Sequence, residues 1–425
     1  MSLGSAINTA VSALNAQSQA ISMISDNIAN SSTVGYKATT ASFSSLVTQN
    51  YSSSAYASGG VSVTDSRNVG FQGLIQKSTV STNLALDGGG FFVVAQVGKN
   101  GREDFAYTRN GEFSADKDGY LVSTSGDYYL MGYRVDADGN SIAGDVTNVN
   151  DLSQIDVDVV SGLAQASSVI ELAAGLPADA AVGDTVTLDV QFYDSLGVAH
   201  ETTLTWEKTG ANAWEMTVGN ATDPDDASIV TGTSASGPFA INFNSDGTLA
   251  TIVPSPAELS FTGMTTGAAD VNLTLDIEDE GALTQYASDD GVIELQLDGL
   301  DVDGAKYGAF TSVEVSSDGL VTAYFDNGLT LPIYKIPVAT FTNPNGLQAL
   351  SDNVFLPSVA SGDYILRDSG DGNAGLIRGS SVESSTVDIA DEFSRMIIAQ
   401  QAYSAASKVV TTADEMIDTL ISAIR

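Results

Sequence analysis

The sequence predicts a mainly β protein with an α-helix at each terminus. Three observations carry this: an apolar seam at the amino end, a second at the carboxyl end, and period-two alternation broken by Gly- and Asp-containing turns through most of the chain between them. In the first seam Leu3, Ile7, Ala10, Leu14, Gln17, Ile21, Ile24 and Ile28 step by fours and threes, and Gln17 is its only strongly polar member. In the second, Met396, Ala399, Tyr403, Ala406, Val410, Ala413, Ile417, Leu420 and Ile424 do the same. This is the a/d spacing of a coiled coil. The first seam covers about 26 residues, or roughly 39 Å of helix. Each stripe is narrow on an otherwise polar helix, so each needs a partner helix. The two helices could pack on each other and close one domain, but seams this regular favour assembly between copies.

Taken in order, residues 1–34 form an amino-terminal core helix, expected to end near Asn30, where Ser31, Ser32, Thr33 and Gly35 break the pattern. Residues 35–72 read as a linker or hinge. From Ala38 to Gly70 the chain is rich in Ser, Thr, Ala and Gly, with isolated Phe43, Leu46, Tyr51, Tyr56, Val61 and Val63, and it is expected to order only against neighbours. Residues 73–147 are the first part of an inner β domain. There Phe91-Phe92-Val93-Val94 follow Gly88-Gly89-Gly90, Asn110-Gly111 and Asp118-Gly119 signal hairpins, and Tyr129–Tyr133 is a further strand.

Residues 148–281 read as an inserted outer β domain. Val186, Leu188, Val190 and Phe192 alternate with Thr187, Asp189 and Gln191, the pattern of a half-buried strand. Leu204 and Trp206, then Trp214, Met216 and Val218, repeat it, so both tryptophans should share one core. Residues 282–375 complete the inner β domain, with turns at Asp318-Gly319 and Asn327-Gly328. Residues 376–425 carry the second core helix, expected to begin near Ser384–Asp388 with Ser385 and Asp388 as a capping box. Asp388, Asp391 and Glu392 crowd its first turns and Arg425 ends it, the polarity that the helix dipole favours.

Charge and chemistry exclude several function classes. With 53 acidic against 16 basic residues and a formal charge of −37, the chain repels nucleic acid and anionic lipid, and neither is expected as a partner. There is no cysteine, which removes thiol catalysis and zinc–thiolate sites. The first basic residue is Lys37, so the amino end lacks the charged region of a secretory signal, and no apolar run approaches the ~18–20 residues of a membrane span. His200 is the sole histidine and has no second histidine at metal-binding spacing. Gly88-Gly89-Gly90 lacks the Lys-Ser/Thr pair of a phosphate cradle and reads as a bend. Asp136-Ala137-Asp138-Gly139-Asn140 and Asp301-Val302-Asp303-Gly304 alternate acids without the distal Glu of a calcium loop, and read as turns. No catalytic, metal or cofactor site is expected, and no enzyme.

Several segments resemble the bacterial flagellar axial proteins, the rod and hook family. At the amino end the resemblance runs from Leu14-Asn15-Ala16-Gln17 through Asn30-Ser31-Ser32-Thr33-Val34-Gly35-Tyr36-Lys37, where Asn30, Thr33, Gly35, Tyr36 and Lys37 match the segment that closes the family's first helix. It continues in Leu86–Phe92, Tyr107-Thr108-Arg109-Asn110-Gly111-Glu112-Phe113, Val382–Asp388 and Met396–Tyr403, with Val382 and Thr386 replacing the commoner Leu and Asn. Tyr193–His200, Leu204–Trp214 and Phe341–Leu347 resemble the insertion of the hook members. The resemblance implies a subunit that stacks with copies of itself into the hollow, flexible hook joining the basal-body rod to the filament. Terminal helices would line the inside, and the subunit would leave the cell through the flagellar type III export apparatus without signal cleavage. Rod, hook-cap and hook–filament junction proteins are the further partners it implies. A distal rod protein, or a secreted acidic adhesin or calcium-binding surface protein, is the competing reading.

Overall fold

The computed structural model describes residues 3–46, 59–97, 103–142, 147–160, 162–277, 282–288 and 293–424. Tyr51, Tyr56, Arg425 and the side chains of Leu3 and Ile424 lie outside the described residues. The chain divides into two compact units. Unit one holds Met1–Val159, Ser312–Ala323 and Leu331–Arg425; unit two holds Val160–Thr311 and Tyr324–Thr330. The backbone therefore passes from one to the other at four places.

In unit one, α1 runs from Leu3 to Ala29 and α2 from Ile389 to Ile424, and the two pack against each other. The cap of α2 is Asp388 rather than Ser385: its Oδ1 accepts from the Ala390 and Asp391 amides at 2.8 and 3.2 Å. The stretch expected to be a hinge holds a β-ribbon instead. Thr39–Ser45 pairs antiparallel with Val61–Arg67, setting Phe43 opposite Val63. Val61 and Val63 alternate with Ser62 and Thr64, as suits a pleated strand, and α1 supplies the support, since Ser12 Oγ accepts from the Val61 amide at 3.2 Å.

The β part of unit one centres on Phe91–Val97. This strand pairs antiparallel with Glu103–Thr108, Tyr129–Arg134 and Val338–Phe341. Phe91 lies edge-on to Phe341 and Phe355, each 5.8 Å away, and Tyr107 meets Phe341 at 4.8 Å. Asp118-Gly119 makes the hairpin between Phe113–Ala115 and Leu121–Ser123. Asn110-Gly111 does not make one, because the flanking strands pair elsewhere. Gly111 is needed for close approach instead: a Cβ there would lie 1.7 Å from the Leu84 carbonyl oxygen.

Unit two contains the meander Thr185–Tyr193, Ala199–Gly210 and Ala213–Val218. Val186, Val190 and Phe192 are buried on its inner face with Trp206 and Trp214, and Phe192 stacks on Phe261 at 4.7 Å. The unit starts later than residue 148 and continues well past 281. The reason is Gln296–Val302, which pairs antiparallel along Val169–Pro177 and so belongs to the same sheet. Its Asp- and Gly-rich sequence hides that pairing.

The residues weighed for chemistry serve the fold. His200 is buried, with Nε2 3.1 Å from Asp194 Oδ2 and Nδ1 2.8 Å from Thr231 Oγ1. Burial by itself would raise the Asp194 carboxyl. Hydrogen bonds from Thr266, His200 and the Val198 and Leu196 amides outweigh it and hold the group below the usual value. Asp136 Oδ1 accepts from the Asp138 and Asn140 amides, and Asp303 Oδ1 from those of Ser168 and Val169. Asp136 closes its own turn, while Asp303 ties its turn to Ser168 and Val169, distant in sequence.

Both tryptophans lie in unit two, so their fluorescence reports that unit alone. Trp206→Ala should destabilise it by about 3–5 kcal/mol, measured as a lower urea midpoint followed through the remaining Trp214.

Candidate functional site

The site follows from how α1 and α2 meet and from what locks their bases together. On α1 the predicted seam residues Ala10 and Ile24 are buried, while Ile7, Leu14, Gln17, Ile21 and Ile28 are half-buried. Ala16, Ala20 and Asn27 are buried beside them, so the contact face is turned towards small side chains. Small residues let helix axes approach closely. On α2, Ala399 and Ala413 are buried, Met396, Ala406, Val410 and Ile417 are half-buried, and Tyr403 and Leu420 are exposed. Pairing with α1 leaves much apolar surface uncovered on α2. Phe393, Ile397, Ile398, Val409, Met416 and Ile421 remain exposed alongside Tyr403 and Leu420.

Below α1 the matched motif residues each make a definite contact. Asn30 Nδ2 donates to the Asp26 carbonyl at 2.8 Å and Thr33 Oγ1 donates to Asn30 Oδ1 at 3.2 Å. Gly35 has φ 68°, and a Cβ on it would sit 2.8 Å from the Asn110 nitrogen. Tyr36 donates its hydroxyl to Asn27 Oδ1 at 3.2 Å, and the same oxygen accepts from the Thr39 amide at 2.9 Å. The buried Asn27 thus joins α1 to the ribbon.

Lys37 leads to the centre of the site. Its Nζ lies 2.5 Å from Glu383 Oε1 and 2.6 Å from the Phe71 carbonyl oxygen. Arg109 NH1 reaches Glu383 Oε2 at 3.3 Å, while its Nε and NH2 donate to the carbonyls of Gly90 and Gly88 at 2.9 and 2.7 Å. The Gly73 amide donates to Glu383 Oε1 at 2.7 Å. Exposure is 2% for Lys37, 1% for Arg109 and 0% for Glu383. Two cations thus share one carboxylate, and three backbone carbonyls take up the surplus positive charge. The roles of Glu383, Arg109 and Asn27 were not legible from composition or periodicity. The available signal was the occurrence of Arg109 and Glu383 inside matched motifs of a chain poor in basic residues.

Glu383→Gln leaves Lys37 and Arg109 buried without their anion. The expected cost is about 3–5 kcal/mol, seen as earlier loss of helical circular dichroism with unchanged tryptophan fluorescence. Burial also pulls Lys37 down to about 8 from 10.5, against the opposing pull of Glu383. Between those values the unfolded chain binds more protons than the folded one, so this group raises stability as pH climbs through the window. The gain, on the order of 1–3 kcal/mol, should appear in the wild type and vanish in Lys37→Met. Tyr36 and Tyr107, both raised by burial, oppose it once pH passes the ordinary tyrosine value of 10.0.

Four family profiles match the chain. They are the flagella basal body rod protein over residues 7–37, the flagellar hook protein FlgE/F/G D1 domain over 85–159, the flagellar basal body protein FlaE D2 domain over 165–300, and the flagellar basal body rod FlgEFG protein C-terminal region over 378–423. Lys37, Arg109 and Glu383 come from three of these segments. The flagellar hook protein FlgE of Rhizobium meliloti (strain 1021) is 35% identical over 99% of each chain. That of Brucella suis biovar 1 is 36% identical over 99% of each. The Escherichia coli (strain K12) protein is 28% identical over 98% of this chain and 99% of its own. Among solved structures, the Helicobacter pylori flagellar hook protein FlgE2 aligns with a TM-score of 0.48 at 15% identity, over 73% of this chain and 100% of that one. Identity of 35% along 99% of the sequence shows that the chain belongs to the flagellar hook protein FlgE family.

Proposed function

We propose that the chain is the structural subunit of the flagellar hook, polymerising helically with copies of itself into a flexible hollow joint that links the basal-body rod to the filament and transmits torque. The full-length relatives that bear the hook name support this reading over a rod protein or an adhesin. One observation carries the assembly part. After α1 and α2 have paired, α2 still presents large apolar side chains from Phe393 to Ile421, a surface that wants cover from neighbouring copies.

On this reading the terminal helices form the core of the tube, the β part of unit one the inner β domain, and unit two, Val160–Thr311 with Tyr324–Thr330, the inserted outer one. The seam residues Leu3, Ile7, Leu14, Ile21, Ile24, Ile28, Met396, Tyr403, Val410, Ile417, Leu420 and Ile424 serve self-assembly. A bent tube that rotates must lengthen each row of subunits on its outer side and shorten it on its inner side every turn. Contacts that hold should be apolar and interdigitated, while contacts that exchange should be polar and wet. Residues 35–72 connect the two kinds of contact. The ribbon there makes that connection stiffer than an open linker and leaves the yielding to polar surfaces. The remaining partners on this reading are the rod, hook-cap and hook–filament junction proteins and the type III export apparatus, with export leaving no cleaved signal and the subunit ending outside the cell.

Immunogold electron microscopy with an antibody to unit two tests the function. Gold on the short curved segment between cell and filament is the expected result; gold scattered over the cell surface would favour an adhesin, and gold seen only after the envelope is stripped would favour a rod. Replacing Ile21 and Ile24 by Asp should abolish hooks while tryptophan fluorescence stays native. Normal hooks from that variant would remove the seam from the mechanism.

A further inference from the structure

Beside the helix pair in unit one lies a groove of about 310 Å³, walled by Ala20, Ile24 and Phe43 on one side and Ile398 on the other, with Glu392 and Arg395 on its lining. Glu392 is 4% exposed. Arg395 NH1 stands 3.6 Å from its Oε1, and its Oε2 has no hydrogen-bond partner among the described residues. A buried carboxylate oxygen without a donor is costly, and Glu392 is one of the residues that line the groove. We propose that this groove is a socket between subunits and that its occupant is Lys408 of a second copy.

Charge complementarity selects the occupant. Along α1 there is no basic residue, and along α2 the basic residues are Arg395, already beside Glu392, and Lys408. Lys408 is exposed and makes no ion pair among the described residues. The positions three and four residues from it on the helix are Ser404, Ala405, Thr411 and Thr412, so no acid on its own helix face can serve it. In a chain of formal charge −37 such a lysine stands apart from the prevailing charge. Within one helix Glu392 and Lys408 are separated by roughly 24 Å, well beyond the reach of a lysine side chain. Contact between these two groups therefore requires two copies, staggered along the helix direction. The four-carbon stem of the lysine fits an apolar wall while its ammonium group meets the carboxylate. The inference rests on the homopolymer reading given above.

Isolated wild-type hooks treated with a zero-length carbodiimide provide the test. The reagent activates a carboxylate, the touching amine displaces it to form an amide, and the oxygen lost leaves on the reagent as its urea. Peptide mass spectrometry should find the Glu392–Lys408 amide in hooks and not in dilute monomer, and Glu392→Gln should abolish it. Hooks that contain this chain yet link Lys408 to another acid, or to none, would overturn the socket and leave the homopolymer reading intact. Absence of this chain from isolated hooks would instead overturn the homopolymer reading itself. As a second readout, Lys408→Glu should impair hook formation and Glu392→Lys with Lys408→Glu should restore it; restoration failing while each variant keeps native circular dichroism would count against the pairing.

Discussion

The carboxylate of Glu383 is the point on which unit one depends. It is buried, it bonds to Lys37 just after the first helix and to Arg109 between two strands, and its backbone carbonyl accepts from the Gly35 amide at 2.8 Å. Positions separated by hundreds of residues therefore close on one side chain shortly before α2 begins. Buried ion pairs are poor sources of net stability, because desolvation offsets most of the attraction, but they penalise any arrangement that leaves one member alone. Here that selectivity fixes which strand meets which terminus. The two helices then leave their shared base in a defined relation, and the ribbon at Thr39–Ser45 supports them from the side.

The legible parts were those governed by periodicity. Helix limits followed from the seams to within a residue or two at Ala29, and the strand at Val186–Phe192 followed from alternation. Less was readable where composition obeys local turn chemistry. Asn110-Gly111 has a hairpin signature, yet the glycine serves close packing against Leu84. Gln296–Val302 reads as turn-rich and polar because it is a largely exposed strand, with little apolar alternation to reveal it. The ribbon was hidden for the same reason, since its stability comes from α1 rather than from its own Ser- and Thr-rich sequence. Family resemblance marked Lys37, Arg109 and Glu383 as belonging to motifs, but only the fold brings them together.

Acidity and polarity also acquire local explanations. The carboxylates of Asp136 and Asp194 accept backbone amides of their own turns, and that of Asp303 accepts the Ser168 and Val169 amides from a segment distant in sequence. His200, the one histidine, lies on the strand Ala199–Gly210 and is enclosed with Asp194, Thr231 and Phe192.

The four backbone passages between the units bear on how such a protein can change over generations. Unit two is not one continuous segment, because Tyr324–Thr330 belongs to it as well as Val160–Thr311. Exchange of the long segment alone would separate it from its second piece, so recombination between related genes would have to replace both pieces or preserve how they fit. Variation that accumulates by substitution and by loop length faces no such obstacle, and that is the route this connectivity leaves open.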